Sequence, residues 1–189
     1  MHYQLLITPK INNIMKTVTI KLYQFSELSD KAKEKAISRL MDINTDSDWW
    51  DSSYEDAAQV NIKIKGFDID RGSYVKAEFM QSAYDTANLI ILNHGESCET
   101  YKTAKTFLQD WNNLVSKYSD GVKTDVVTED NEYDFDNEAD DLENEFLESI
   151  SEDYRIILSK QYDYLTSEDA IIETIEANDY YFTEDGKLN

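Results

Sequence analysis

The sequence contains one cysteine, Cys98, so no disulfide can close within the chain, and a disulfide-stapled secreted domain is excluded. It has one proline, Pro9, and no Ser/Gly/Pro-rich linker, so no sharp domain boundary is marked. No apolar run approaches the roughly 20 residues that a membrane helix requires. Leu5-Leu6-Ile7 is too short for the apolar region of a secretory signal, and no small-residue cleavage site follows it. Histidine is scarce: with only His2 and His94 beside Cys98, a structural zinc site would need several carboxylates. A glycine-rich phosphate loop, a Gly-x-Ser-x-Gly elbow and a His-Glu-x-x-His motif are all missing. Basic residues are few as well, 18 Lys and Arg against 39 Asp and Glu in 189 residues, a formal net charge of −21. Direct binding of nucleic acid needs clustered cations and is excluded. These absences predict a cytoplasmic binding protein, not an enzyme, with no cofactor and no metal site.

Apolar side chains are present in quantity, 41% hydrophobic and 12% aromatic, which is enough for a packed core despite the charge. Residues 1–14 read as an N-terminal extension, and Met15 is a second candidate start. Residues 15–189 read as one α+β domain, rich in helix, with a small antiparallel sheet and an acidic C-terminal helical half. Val18, Ile20 and Leu22 alternate with polar residues and predict a strand over 16–25. Ser29 is the expected cap of a helix whose face is Ala32, Ala36, Ile37, Leu40 and Met41. Ser47 is the expected cap of a second, short helix. Residues 60–80 read as a hairpin, with a bulge at Gly66, where the alternation changes phase, and a turn at Asp70-Arg71-Gly72-Ser73. A helix from about Ser82 to Asn93 is expected to end at Gly95 in the left-handed conformation. Tyr101, Ala104, Leu108, Trp111, Val115 and Tyr118 define the next helix, from about Ser97. Leu142, Phe146, Ile150, Tyr154, Ile157 and Leu158 define a long one, from about Glu138 to Tyr164. Thr166 and Asp169 form the expected capping box of the last helix, and a closing strand and turn are expected over 180–188.

The charge is concentrated. Residues 1–95 carry net −2, whereas residues 96–189 carry net −19. Within the acidic segment 124–154 stand 14 carboxylates and no Lys, Arg or His: Asp125, Glu129, Asp130, Glu132, Asp134, Asp136, Glu138, Asp140, Asp141, Glu143, Glu145, Glu148, Glu152 and Asp153. On a helix this is one charge per roughly 3 Å, close to the roughly 3.4 Å of axis per phosphate in one strand of B-DNA. Such a field steers the segment towards basic grooves and makes binding depend steeply on salt. The alternative is a solvated face or acidic loop that serves solubility.

Other motifs carry less chemistry. Asp134, Asp136, Glu138 and Glu145 match positions of a calcium-binding loop, but Ala139 replaces the required glycine. Asp68 and Asp70 are spaced like the paired carboxylates of haloacid-dehalogenase-like phosphatases, but they fall in a hairpin turn, not after a parallel strand. His94 and Cys98 are separated by Gly95 and are not expected to share a helical face. Trp49 and Trp50 are adjacent, about 100° apart on a helix. One is therefore expected in the core and the other at a surface, where tryptophan often anchors a partner.

Several phrases carry a resemblance: Phe25-Ser26-Glu27-Leu28-Ser29-Asp30-Lys31-Ala32-Lys33-Glu34-Lys35-Ala36, Asp48-Trp49-Trp50, Gly66-Phe67-Asp68-Ile69-Asp70-Arg71-Gly72, Glu99-Thr100-Tyr101-Lys102-Thr103-Ala104 and Phe182-Thr183-Glu184-Asp185-Gly186-Lys187. Over about residues 15–188 the chain resembles a family of small acidic accessory proteins of bacteriophages, prophages and conjugative elements. The resemblance implies a mobile-element context and no established activity. In composition the chain is also similar to antirestriction and anti-CRISPR proteins that imitate nucleic acid. The expected function is inhibition of a basic, nucleic-acid-binding host protein such as a CRISPR effector or restriction enzyme. The partner would meet the fourteen carboxylates above together with Trp49 and Trp50. An antitoxin neutralising a basic toxin, a carboxylate metal-dependent hydrolase, and a virion or regulatory protein whose acidity serves only solubility are the alternatives.

Overall fold

The computed structural model describes residues 19–119 and 132–189. In chain order the elements are β1 (Tyr23–Gln24), a 3-10 turn (Phe25–Glu27), α1 (Asp30–Arg39), α2 (Asp51–Gln59), β2 (Ile62–Asp68) and β3 (Tyr74–Phe79). They continue with α3 (Ala83–Asn93), α4 (Glu99–Tyr118), α5 (Glu132–Leu165), α6 (Glu168–Ala177) and β4 (Tyr181–Phe182). The described residues thus form a helix-rich α+β fold with two antiparallel sheets of two strands each. None of the described helices is long and apolar enough to cross a membrane.

The described residues divide into two compact units, 19–40 with 175–189, and 41–119 with 132–174. In the described part of the first, β1 pairs with β4, placing Tyr23 opposite Phe182. Phe25 and Phe182 are both buried and meet edge to face at 6.1 Å, the geometry that the ring quadrupoles favour. Ala32 and Ala36 are the buried positions of α1. Gly186 packs on their backbone at φ +77°, where a β-carbon would collide with the Ala32 carbonyl oxygen, so only glycine fits. Arg39 fixes the same turn by donating to the backbone oxygen and carboxylate of Asp185 at 3.2 and 3.3 Å.

The second unit is built on the β2–β3 hairpin and on α5. Ile62 stands opposite Phe79 and Ile64 opposite Ala77, and the register shifts between Ile64 and Gly66. The bulge expected at Gly66 is therefore present. Across the hairpin, Lys63 and Lys65 of β2 both reach Glu78 of β3. α3 and α4 follow, and α5 runs past α4 and β3. The core joins Val60, Ile62 and Ile64 to Ala83, Ala87 and Ile90 of α3, Ala104 and Phe107 of α4, and Phe146, Ile150 and Tyr154 of α5. The last three recur every four residues, which places them on one face of a 3.6-residue helix. Phe146 is the keystone: its ring stacks on Phe107 at 4.4 Å and on Phe79 at 5.5 Å.

Several local expectations are corrected. In the described part of the strand expected over 16–25, residues 19–25, only Tyr23–Gln24 pairs, because β4 offers two residues of partner; Ile20 is 58% exposed, and Val18 lies outside the described residues. Met41 leaves the expected apolar face and is exposed, since α1 ends at Arg39. The second helix starts at Asp51 with Trp50 at its N-cap, and Ser47 lies in the preceding turns. α3 ends as expected, but by a different device. His94 leaves it extended (φ −97°, ψ 147°), and Gly186 is the only glycine with positive φ among the described residues. Ser167, not Thr166, caps α6: its hydroxyl accepts from the Ala170 amide at 3.3 Å, while the Thr166 hydroxyl turns back to Tyr162. α5 starts six residues before the expected Glu138.

Candidate partner-binding surface

The helical period sorts the acidic segment. Asp134, Glu138, Asp141, Glu145, Glu148 and Glu152 recur at alternating steps of four and three residues on α5, and all six are exposed. They form one stripe opposite Phe146, Ile150 and Tyr154. At 1.5 Å rise per residue the stripe is about 27 Å long, with a carboxylate every helical turn, about 5.4 Å. That is sparser than the roughly 3.4 Å per phosphate of a DNA strand, so the sequence-derived density is not reached along any one line. Asp136 and Asp140 are also exposed but, at about 100° per residue, turn away from the stripe. Asp125, Glu129 and Asp130 lie outside the described residues, and Glu132 is the first residue of α5.

Two carboxylates turn inward. Asp153 is half-buried and accepts the Thr103 hydroxyl at 2.6 Å. Burial, opposed by that bond and reinforced by Glu99 and Glu152, holds its carboxyl above the usual range. Glu143 is also raised, first by burial and then by the charge of Asp140. Two others are neutralised. Lys117 grips both oxygens of Glu138 at 2.6 and 2.7 Å, and Tyr118 donates to the same group. Arg155 forms a two-pronged contact with Glu152 at 2.6 Å on each prong. Both carboxyls are held below the usual range by these cations. Asp134, Asp136, Asp140, Asp141, Glu145 and Glu148 have no ion pair among the described residues.

The tryptophans do not divide into one core and one surface residue. Both are half-buried, packed edge to face on each other at 5.6 Å and on Phe67 at 5.6 and 5.5 Å. Tyr54 and Tyr162 complete the cluster. The chain turns at Trp49 and Trp50 before α2 begins, so the 100° offset of a continuous helix does not apply.

A cleft of about 690 Å³ lies between α2, the start of α4 and α5. Nothing in the sequence periodicity pointed to it. Tyr154 donates to Asp56 at 2.9 Å, the Nε2 of His94 stands 3.6 Å from the other Asp56 oxygen, and its Nδ1 is 2.7 Å from the Thr100 hydroxyl. Burial, with Asp56 adjacent, pushes the Tyr154 phenol well up, so it remains a donor. Thr100 is 2% exposed, and the row links α2, the end of α3, α4 and α5. Cys98 is exposed at the N-cap of α4. Asp68 accepts the Asp70 amide at 2.8 Å, the arrangement of a charged turn. Asp134, Asp136, Glu138 and Glu145 sit on continuous helix, which cannot wrap a cation as a calcium loop does. Among the described residues no three of His, Cys, Asp and Glu are gathered so as to hold a metal ion.

Comparison with protein-family models, curated proteins and solved structures finds no match to this chain.

Proposed function

We propose that the protein is a phage- or mobile-element-type inhibitor that binds a basic nucleic-acid-binding host protein, of the CRISPR-effector or restriction type. The outer face of α5 enters the groove meant for DNA or RNA. The observation that supports this reading is the stripe itself: Asp134, Asp141, Glu145 and Glu148 are aligned, exposed and uncompensated by any cation among the described residues. Like charges held this close repel one another and weaken the compact state, so the fold gains nothing from them. Their long-range field attracts a cationic groove and raises the rate of encounter. With a carboxylate only every turn, the helix acts as a charged ligand for such a groove rather than an atom-by-atom copy of a strand.

The test is affinity capture from host lysate at about 50 and 500 mM salt, a range over which exposed charge is progressively screened. The expected result is a nucleic-acid-processing protein held at low salt, released at high salt, and no longer able to bind its DNA or RNA while held. The variant with Asp134→Asn, Asp141→Asn, Glu145→Gln and Glu148→Gln should not capture it. Equal capture by that variant, or an undiminished grip of the captured protein on its nucleic acid, refutes the reading. Capture of one small toxin would assign the surface to an antitoxin instead.

A further inference from the structure

Beside the acidic stripe, between α4 and α5, runs a groove that the charge pattern alone does not explain. One cavity of about 280 Å³ is lined by Thr103, Thr106, Phe107, Asp110, Glu145 and Phe146, among others. A second, of about 370 Å³, shares Asp110, Leu142 and Glu145 with it and continues towards Leu114 and Asp141. The floor is apolar: half-buried Leu142 lies over the buried side chains of Phe107, Leu114 and Phe146. The two lysines on the rim are already engaged, Lys102 with Glu99 at 2.6 Å and Lys117 with Glu138 at 2.6 Å. Asp110, Asp141 and Glu145 have no ion pair among the described residues.

We infer that this groove is a docking site for a basic amphipathic segment of the partner protein. Its apolar side chains rest on Leu142, and its arginine or lysine heads meet Asp110, Asp141 and Glu145. The choice of occupant follows from charge complementarity. An arginine is an apolar stem that ends in a rigid, charged fork, and the groove is an apolar floor with carboxylates at its edge. A phosphate-bearing ligand would meet three carboxylates and be repelled. An uncharged apolar segment would cover those carboxylates and leave them without solvent or cation, at a large cost. The inference rests on the proposed attraction of a basic partner and adds to it a specific seat: Asp110, on α4, lies outside the acidic segment altogether.

The experiment uses two fluorescein-labelled helical peptides with the same number of arginines, one bearing leucines along one face and the other serines at the same places. Fluorescence anisotropy is read with the full chain at about 50 and 500 mM salt. The leucine peptide is expected to bind at least about tenfold tighter than the serine peptide, a difference of about 1.4 kcal/mol. Thr106 is exposed on the groove wall, so Thr106→Arg places a tethered cation in the seat and should abolish that preference. Asp110→Asn, a milder exposed change, should weaken the leucine peptide several-fold while the serine peptide is little affected. Equal affinity for the two peptides, or a preference that survives both variants, overturns the groove assignment. If both peptides bind equally and release with salt, the acidic stripe stands and only the groove is lost. If neither binds at low salt, the reading of the stripe as a ligand for basic partners fails with it.

Discussion

The inner face of α5 carries Phe146, Ile150, Tyr154 and Leu158, none more than 3% exposed, whereas the outer face carries Asp134, Asp141, Glu145 and Glu148 in the open. Both faces belong to one helix and share one period. The inner side chains meet α4, β3 and α2, and they hold the second unit together through ring stacking and the Tyr154–Asp56 bond. The outer four make no ion pair among the described residues. Burial decides the difference: a carboxylate is tolerated only where water or a cation reaches it, and a phenylalanine contributes only where water is excluded.

The largest break in that comparison is on the inner side. Phe146→Ala removes a ring stacked between Phe107 and Phe79 and leaves a cavity. It is expected to cost about 3–5 kcal/mol, read as a lowered urea midpoint with the slope unchanged. Tyr154→Phe keeps the ring and deletes one hydrogen bond to the partly exposed Asp56. Because water can take up the freed carboxylate oxygen, a loss of about 1 kcal/mol is expected by the same measurement. On the outer side, amides in place of Asp134, Asp141, Glu145 and Glu148 should change stability by no more than about 0.5 kcal/mol. The sign should be favourable at low salt and the gain should fade at high salt, when thermal melts of the two proteins are compared at both. A destabilisation would mean that the outer face serves the fold after all.

The smallest effect sharpens the boundary between the faces. Asp153 and Glu143 are raised above the usual carboxylate range, chiefly by burial. The folded protein therefore holds these protons at a pH where the unfolded chain has lost them. Their ionisation lowers stability as pH rises from the ordinary carboxylate range through the raised one. Asp153→Asn keeps an acceptor for Thr103 and removes that penalty. It should raise Tm by about 1–2 °C at neutral pH, and the gain should vanish below about pH 4, where both proteins are uncharged at this position. A gain that persists in acid would point to packing, not charge. Glu138 and Glu152 have the opposite sign: held low by Lys117 and Arg155, their pairs hold at neutral pH and are lost in acid.

The sequence alone determined the elements whose signal is periodic and local: the hairpin over 60–80, the bulge at Gly66, the helix ending at Tyr118, and the inner face of α5 through Phe146, Ile150 and Tyr154. It determined the excess of carboxylates in the C-terminal half as well, since charge is a sum over residues. Tertiary structure decided which carboxylates remain free. Lys117 lies 21 residues from Glu138 and Thr103 lies 50 from Asp153, and no local pattern links partners so far apart. It also decided the seat of the two tryptophans on Phe67 and Tyr162, the cleft around Asp56 and His94, and the groove between α4 and α5. Each depends on two segments meeting in space. Periodicity tells a residue which way to face, but only the element opposite determines what it finds there.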